Sequence, residues 1–473
     1  MNLKIVKLKN IEIKNFKNIE YGRINIENHN DEYDGNVLGI YGQNGTGKTS
    51  IINAIQLLKL SLIGAAIPNY YADYINIECN NSYFKYELSI DYDDEIYNIS
   101  YEFKLGKKEY TVVNLEGANN TIKPFIYDEV LSFSYNNKDI NIRKNQVINT
   151  ETDENTVFLP SLKYNLLIDK SIKKNDLILL KKMSVEKSIS FIFSKEFIDI
   201  LDKHYENKFI NEEFQRIYFL LKTLINYGDN ELFIINTFNS GLISLNSLPI
   251  TYRRIHDKNN VVYGKYYLQL NKIDSIPSVL YNETKKIIDS INIVLGKIIP
   301  NLQIQIDEYG SEIGKDGSEQ IKVYLFSVKN GKKIPLVYES EGIKKIISIL
   351  QLIIVMYNQP NITVAIDELD SGIFEFLLGE LLSIISERGM GQLIFTSHNL
   401  RPLEMIDKKC ISFTTSNPKN RIIKLSGVKE NNNLRDFYFR GILLGGQCEK
   451  LYDSFNIEEI GLAFRMAGDR INE

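Results

Sequence analysis

The chain has 473 residues, 44% hydrophobic and 25% charged, with a formal net charge of −4. That composition supports a sizeable core and excludes disorder as the main state. No apolar run approaches the ~20 residues needed to cross a bilayer, so no membrane partner is expected. The three cysteines, Cys79, Cys410 and Cys448, are scattered and odd in number. A disulfide framework and a cysteine zinc site are excluded on that pattern. The N-terminal stretch carries charges throughout, so no secretory h-region is expected and a reducing cytoplasm is the expected location. Constitutive DNA binding would need a basic face, and the average charge does not supply one.

The chain opens with alternating segments, Ile11-Glu12-Ile13-Lys14-Asn15-Phe16 and Arg23-Ile24-Asn25-Ile26-Glu27, which predict strands. A turn is expected over Asp31–Asn36. Val37-Leu38-Gly39-Ile40-Tyr41 reads as a short strand buried on both faces. A glycine-rich loop follows, then a helix from Thr49 to about Leu62. From Ser82 to Ile148 the period of two returns and predicts an antiparallel meander, with a turn expected at Leu105-Gly106-Lys107-Lys108. Thr150 to Asp289 has mostly helical periodicity, as at Glu196–Leu201 and Phe214–Leu224, with one strand-like piece near Val261–Leu270. Basic and acidic residues balance there, and no heptad is sustained, so neither a basic arm nor a long coiled coil is expected. Strand patterning resumes at Leu302–Ile306 and Gln320–Leu325. A helix over Gly342–Met356, a strand over Thr363–Ile366, a helix over Phe374–Ser386 and a strand over Gln392–Thr396 follow. The tail has an apolar stretch at Leu434–Arg440, a Gly445-Gly446 turn and a helix at Ile457–Ala467, expected to pack on the rest.

Gly42-Gln43-Asn44-Gly45-Thr46-Gly47-Lys48-Thr49 matches G-x-x-x-x-G-K-[ST] between a strand and a helix. Glycines there let backbone N–H groups close on phosphate oxygens, and the helix N-terminus favours the negative charge. Lys48 would bridge the β- and γ-phosphates, and Thr49, with Ser50 beside it, would put a hydroxyl on Mg²⁺. Thr363-Val364-Ala365-Ile366-Asp367-Glu368 is an apolar strand ending in two acids. Asp367 would orient the metal ion, and Glu368 would polarise the attacking water as general base. Ser340 and Gly342 open a helix, where they suit either an N-cap or donors to a γ-phosphate. Leu369-Asp370-Ser371-Gly372 follows Glu368 directly and reads as a turn or as part of the site. Thr396-Ser397-His398-Asn399 caps a strand, and His398 is suited to sensing the γ-phosphate or to a structural role.

These five elements, in this order, resemble the ABC-type ATPase heads of the SMC and RecF group. Within that group they look most like the OLD-like ATPases of bacterial antiphage systems. Ile13-Lys14-Asn15-Phe16-Lys17-Asn18 is similar to the segment that opens those heads, which implies that Lys17 reaches the nucleotide. Ser340-Glu341-Gly342 is similar to the signature motif but departs from the Leu-Ser-Gly-Gly-Gln form. Asp370-Ser371-Gly372-Ile373-Phe374-Glu375 and Phe395-Thr396-Ser397-His398-Asn399-Leu400-Arg401-Pro402 resemble the OLD-like variety. The implied fold is an α/β ABC-type P-loop head, a mixed sheet flanked by an antiparallel meander, with a mostly helical insertion. Its expected divisions are 1–150, the insertion 151–290, the second head lobe 291–430, and a C-terminal segment 431–473. The implied ATP-binding residues are Gly42, Asn44, Gly45, Thr46, Gly47, Lys48, Thr49, Ser50, Lys17, Ser340, Gly342 and Asp370. The implied catalytic residues are Glu368, Lys48 and His398, and Thr49 and Asp367 are the implied Mg²⁺ ligands. Gln146 is the one weak candidate for the family's Q-loop glutamine.

The resemblance also implies a homo-oligomer, at least a head-to-tail dimer around ATP, in which Lys48 and Glu368 face Ser340 and Gly342 of the other copy. The short stretch after His398 leaves no room for a Toprim nuclease, so an effector, a nuclease or toxin, is expected on another polypeptide. Asp91-Tyr92-Asp93-Asp94-Glu95 reads as a solvated hairpin turn, and Arg253-Arg254-Ile255-His256 as surface or packing residues. Two alternatives stand beside effector control: a RecF-like DNA repair clamp, and a slow-turnover nucleotide-bound scaffold. A transporter subunit fits worst, because a large insertion splits the head.

Overall fold

The computed structural model describes residues 3–26, 36–114, 117–206, 211–236, 247–257, 260–315, 317–427, 433–445, 447–452 and 457–472. The chain begins with the hairpin β1 (Ile5–Phe16) and β2 (Ile19–Asn25), then β3 (Asn36–Tyr41) and α1 (Lys48–Leu62). The turn expected over 31–36 falls almost entirely outside the described residues. Strands β4 (Asn81–Tyr92), β5 (Glu95–Asn114), β6 (Gly117–Asn136) and β7 (Asn141–Asn149) form the meander. With β1 and β2 they make a six-stranded sheet in the order β2-β1-β4-β5-β6-β7. Asp93 and Asp94 turn the β4–β5 hairpin at φ 55° and 65°, as a tight primed turn requires. The acid run is thus the solvated hairpin expected, with Lys138 on Asp94 at 2.6 Å. The turn expected at Leu105–Lys108 does not exist. Strand β5 runs through it, and Gly106 pairs with Phe125. A Cβ at Gly106 would lie 2.6 Å from the Phe125 ring, so the glycine makes room for an aromatic rather than bending the chain.

Helices α2 (Ser161–Leu167), α3 (Lys174–Glu186), α4 (Lys195–Glu206) and α5 (Glu212–Asn226) follow and pack against the meander. The chain then enters β8 (Leu232–Ile235), which pairs in parallel with a later strand. The stretch that reads as mostly helical therefore contributes a strand to the central sheet. Four residues are too few to show a period. A hairpin follows, β9 (Ser247–Asp257) with β10 (Asn260–Gln269), then β11 (Asp274–Pro277) and α6 (Ser278–Ile298). Arg253 to His256 lie on β9, with side chains outside the described residues. A small antiparallel sheet comprises β11, β12 (Leu302–Ile313), β13 (Glu319–Lys329) and β14 (Lys332–Pro335).

The chain continues through α7 (Glu341–Asn358), β15 (Thr363–Ile366), α8 (Glu375–Arg388), β16 (Gln392–Thr396), α9 (Pro402–Met405), β17 (Ile411–Thr414) and β18 (Ile422–Ile423). The central sheet has the order β18-β17-β3-β16-β15-β8, parallel except for β18. Its strands are apolar on both faces because both faces are covered. Leu38, Ile40, Ala365 and Ile394 join the core shared with α1 and the meander. Val37, Tyr41, Val364, Ile366, Leu393 and Phe395 join the core on the opposite face, with α6, α7 and α8.

The tail divides in two. In α10 (Leu434–Leu444), Tyr438 stacks on Phe413 at 4.7 Å, and Leu434 is buried, as is Leu451 beyond the helix. In α11 (Ile457–Asn472), by contrast, Ile460, Leu462, Phe464 and Met466 are exposed, so the expected packing stops before this last helix. No helix among the described residues is long and apolar enough to cross a membrane.

Candidate active site

In a parallel sheet the carboxyl ends of neighbouring strands lie along one edge, and loops there converge. Strand β16 lies between β3 and β15, with Phe395 paired to Gly39 on one side and Ile366 on the other. The phosphate loop after β3, the acid pair after β15 and Thr396-Ser397-His398 at the end of β16 are thereby placed side by side. Asp367, Glu368, Thr396 and His398 line a cleft of about 390 Å³ together with Lys17, Asn18, Asn44, Gly45, Gly47, Lys48, Thr49 and Ser50.

The phosphate loop depends on its glycines. A Cβ at Gly42 would meet Thr414 Oγ1 at 2.0 Å, and Gly47 has φ 96° as the residue before α1. Lys48 Nζ donates to the carbonyls of Gly42 (2.8 Å) and Gln43 (3.0 Å). Burial pushes the Lys48 amine down to about 8, against the opposing pull of Asp367, Asp370 and Glu368. Thr46 donates to Gln43 O at 2.6 Å and shares a hydroxyl contact with Thr414 at 2.5 Å. Lys17 lies with its Nζ 3.7 Å from the centre of the Tyr74 ring. Burial holds its amine below the usual lysine range, while the Asp367 charge pulls it up.

Asp367 is fully buried. Its Oδ1 accepts from Thr396 Oγ1 at 2.6 Å and from Thr49 Oγ1 at 3.3 Å. Its Oδ2, equally buried, has no hydrogen-bond partner among the described residues. Such a carboxylate oxygen is costly unless a cation or donor meets it. A half-satisfied acid beside the hydroxyl of Thr49 therefore fits a hard, oxygen-seeking cation. Glu368 is half-buried and sits at φ 49°, a conformation that costs a non-glycine residue about 1 kcal/mol or more. Its N–H donates to Thr396 Oγ1 at 2.7 Å, so one threonine ties both acids to β16.

Asp370 Oδ2 accepts from the backbone N–H groups of His398 (3.1 Å) and Asn399 (3.0 Å). The turn after Glu368 and the His398 loop are one unit for that reason. Partial desolvation and the Lys48 charge hold the His398 imidazole below its ordinary value, which favours the neutral ring. Ser340 caps α7, its Oγ accepting from Ile343 N–H at 3.3 Å. Ser340, Gly342 and Asp370 do not line the cleft of their own chain. Gln146 lies on β7, paired with Ser132 in the meander, and does not line it either.

Three residues have roles here that the motifs do not single out. Asn18 donates from Nδ2 to Gly45 O and accepts from Ser50 at 3.3 Å, bracing the phosphate loop. Arg421 in turn holds the Asn18 carbonyl with two N–H groups, at 3.0 and 2.6 Å. Thr396 bridges Asp367 and Glu368. Asn18 was within reach, because the segment ending in it is the one that singles out Lys17.

A glycine-rich phosphate loop facing a buried strand-end acid across a parallel sheet defines a P-loop nucleotide hydrolase. More particularly, the chain belongs to the AAA ATPase domain family, whose model matches residues 7–401. It is similar to three solved structures that can be set beside it. An SMC head bound to the C-winged helix domain of ScpA is 13% identical, with TM-score 0.40 over 89% of this chain and 98% of that one. An SMC head domain from Thermotoga maritima is 14% identical, with TM-score 0.35 over 89% and 99%. The recombination mediator RecF with ATP is 15% identical, with TM-score 0.37 over 89% and 100%. No curated protein matches the chain.

Proposed function

We propose that this ATPase hydrolyses ATP with Mg²⁺, closes as a head-to-tail dimer around the nucleotide, and uses that cycle to control a separate effector, a nuclease or toxin, in antiphage defence. The observation that carries the catalytic part is the buried Asp367 carboxylate, bonded by Thr49 and Thr396 on one oxygen and open on the other. Thr49 and Asp367 would hold Mg²⁺, which when bound neutralises charge on the phosphates. Lys48 exchanges its two carbonyl partners for phosphate oxygens. Glu368 accepts a proton from the attacking water, and the neutral His398 ring stands at the same cleft to meet the γ-phosphate. Ser340 and Gly342 of one copy meet the nucleotide of the other. The OLD-like placement is supported by the two segments that resemble that variety, joined here through Asp370 and the His398 loop.

The test is ATP turnover and native mass for wild type and Glu368→Gln. Losing the general base is expected to cut kcat about 100- to 10,000-fold with ATP still bound. The Glu368→Gln particle is expected to stay at two copies or more in ATP, with any second polypeptide retained. Wild-type turnover by Glu368→Gln overturns the base. A monomer whose ATP-driven dimer holds only DNA, with steep salt dependence, replaces effector control by a repair clamp.

A further inference from the structure

The first turn of α7 is fixed to the loop after β15 at two points. A Cβ at Gly342 would sit 1.9 Å from Gly372 O, so the two backbones touch and a side chain cannot fit between them. Gly372 itself stands at φ 75°, in the left-handed region. Within the same turn of helix, Lys345 is 5% exposed, and its Nζ donates to the backbone carbonyl of Glu368. That carbonyl also accepts Ser371 N–H at 3.1 Å, so the turn is satisfied without the lysine. Burying an ammonium group to reach an already bonded carbonyl is expensive, although the charges of Asp370, Glu368 and Asp367 offset part of that burial, and helix capping does not need it.

The consequence lies in what the lysine holds. The Glu368 peptide is gripped on both sides: Thr396 Oγ1 takes its N–H, and Lys345 takes its carbonyl. The grip from Thr396 comes from the sheet. The grip from Lys345 comes from the helix that begins with Ser340 and Gly342. A left-handed non-glycine residue persists only where its surroundings over-determine it. A shift of α7 along its axis therefore changes the aim of the Glu368 carboxylate.

We infer that Lys345 is a positioning residue that couples engagement of the α7 N-terminus by a second copy of this chain to the aim of Glu368. This rests on the proposed reading of Glu368 as base and of Ser340 and Gly342 as contacts to the other copy's nucleotide. A head that holds ATP without a second copy engaged would then hydrolyse slowly because Glu368 is misaimed, and closure would correct it.

The experiment compares Lys345→Met, Lys345→Arg and Glu368→Gln with wild type for ATP affinity, melting temperature, kcat and KM. Lys345→Met is expected to bind ATP and melt as wild type does, while kcat falls about 10- to 100-fold, the effect of a small misplacement of a reacting group. Lys345→Arg, which keeps a cationic donor, is expected to restore most of kcat. Wild-type kcat in Lys345→Met overturns the coupling, as does a loss that follows melting temperature and ATP affinity together. Should Lys345→Met fail to fold, Lys345→Gln, with a donor on a shorter stem, is held to the same outcomes. If Glu368→Gln is inactive and Lys345→Met is unchanged, only the coupling fails. If Glu368→Gln turns over normally, the base and the coupling fail together.

Discussion

Two carboxylates in this chain are almost equally buried and opposite in purpose. Glu129, on β6 beneath the helices that follow the meander, is 1% exposed. Its oxygens accept from Tyr101 OH at 2.7 Å, from Ser190 Oγ, and from Phe191 N–H at 2.6 Å. Burial still raises its carboxyl above the ordinary glutamate value, against those three donors. Asp367, at the edge of the parallel sheet, has both donors on one oxygen and none on the other among the described residues. Glu129 thus has donors on both oxygens, from the meander and from the segment packed on it, whereas the sheet edge leaves one oxygen of Asp367 open beside the phosphate loop. A network closed on itself serves the fold, and one left open costs stability that a ligand can recover.

Paired substitutions should split the two cleanly. Glu129→Ala strands three buried donors and is expected to cost about 3 kcal/mol or more of stability, with kcat per folded molecule unchanged. Asp367→Asn keeps an acceptor for Thr49 and Thr396 and removes a buried charge whose second oxygen has no hydrogen-bond partner among the described residues, so its melting temperature is expected at or above wild type. The same change should raise the Mg²⁺ concentration for half-maximal turnover by about 10- to 100-fold. Thermal melts and Mg²⁺ titrations check both. A large loss of stability in Asp367→Asn would show that its open oxygen is satisfied in solution, and the contrast with Glu129 would collapse.

A smaller effect concerns Lys48, which faces the same edge. Burial lowers its amine to about 8, so the free chain holds the neutral form increasingly above that pH. ATP phosphates bind the charged form, so binding takes up a proton there. ATP affinity is therefore nearly full at about pH 7 and below, is about halved at pH 8 and falls about tenfold by about pH 9. Calorimetric titrations in two buffers of different ionisation enthalpy would register that proton. A dissociation constant flat from pH 7 to 9, with no proton uptake, would remove burial as the dominant influence on Lys48.

Much of this edge is legible in the sequence. Strands β3, β15 and β16 are covered on both faces, so they read as apolar runs, and each ends in residues whose chemistry breaks the run: glycines, two acids, and Thr396-Ser397. What is not legible depends on contacts between segments far apart in the chain. Lys345 on Glu368, Thr396 on Asp367 and Arg421 on Asn18 are hydrogen bonds without a spacing rule. Strand β8 is hidden for another reason. Its Leu232-Phe233-Ile234-Ile235 run is too short to show a period, and Gly228-Asp229-Asn230, which reads as a turn, instead continues the helix before it, so only the parallel pairing with β15 reveals the strand. Gly106 shows the reverse, since a glycine followed by two lysines reads as a turn until the Phe125 ring is seen across from it.

Ser340 gives the smallest effect on stability and the sharpest discrimination, because its two roles ask for different side chains. As an N-cap it accepts a hydrogen bond from Ile343 N–H, and Ser340→Ala should cost about 1 kcal/mol. As a donor to the other copy's γ-phosphate it needs its O–H. Aspartate caps a helix as well as serine does but brings a negative charge to a phosphate. Ser340→Asp is therefore expected to melt as wild type does while its ATP-dependent dimer and its turnover are lost. If Ser340→Asp keeps full turnover, the serine is a cap and nothing more, and the α7 N-terminus does not meet nucleotide in either copy.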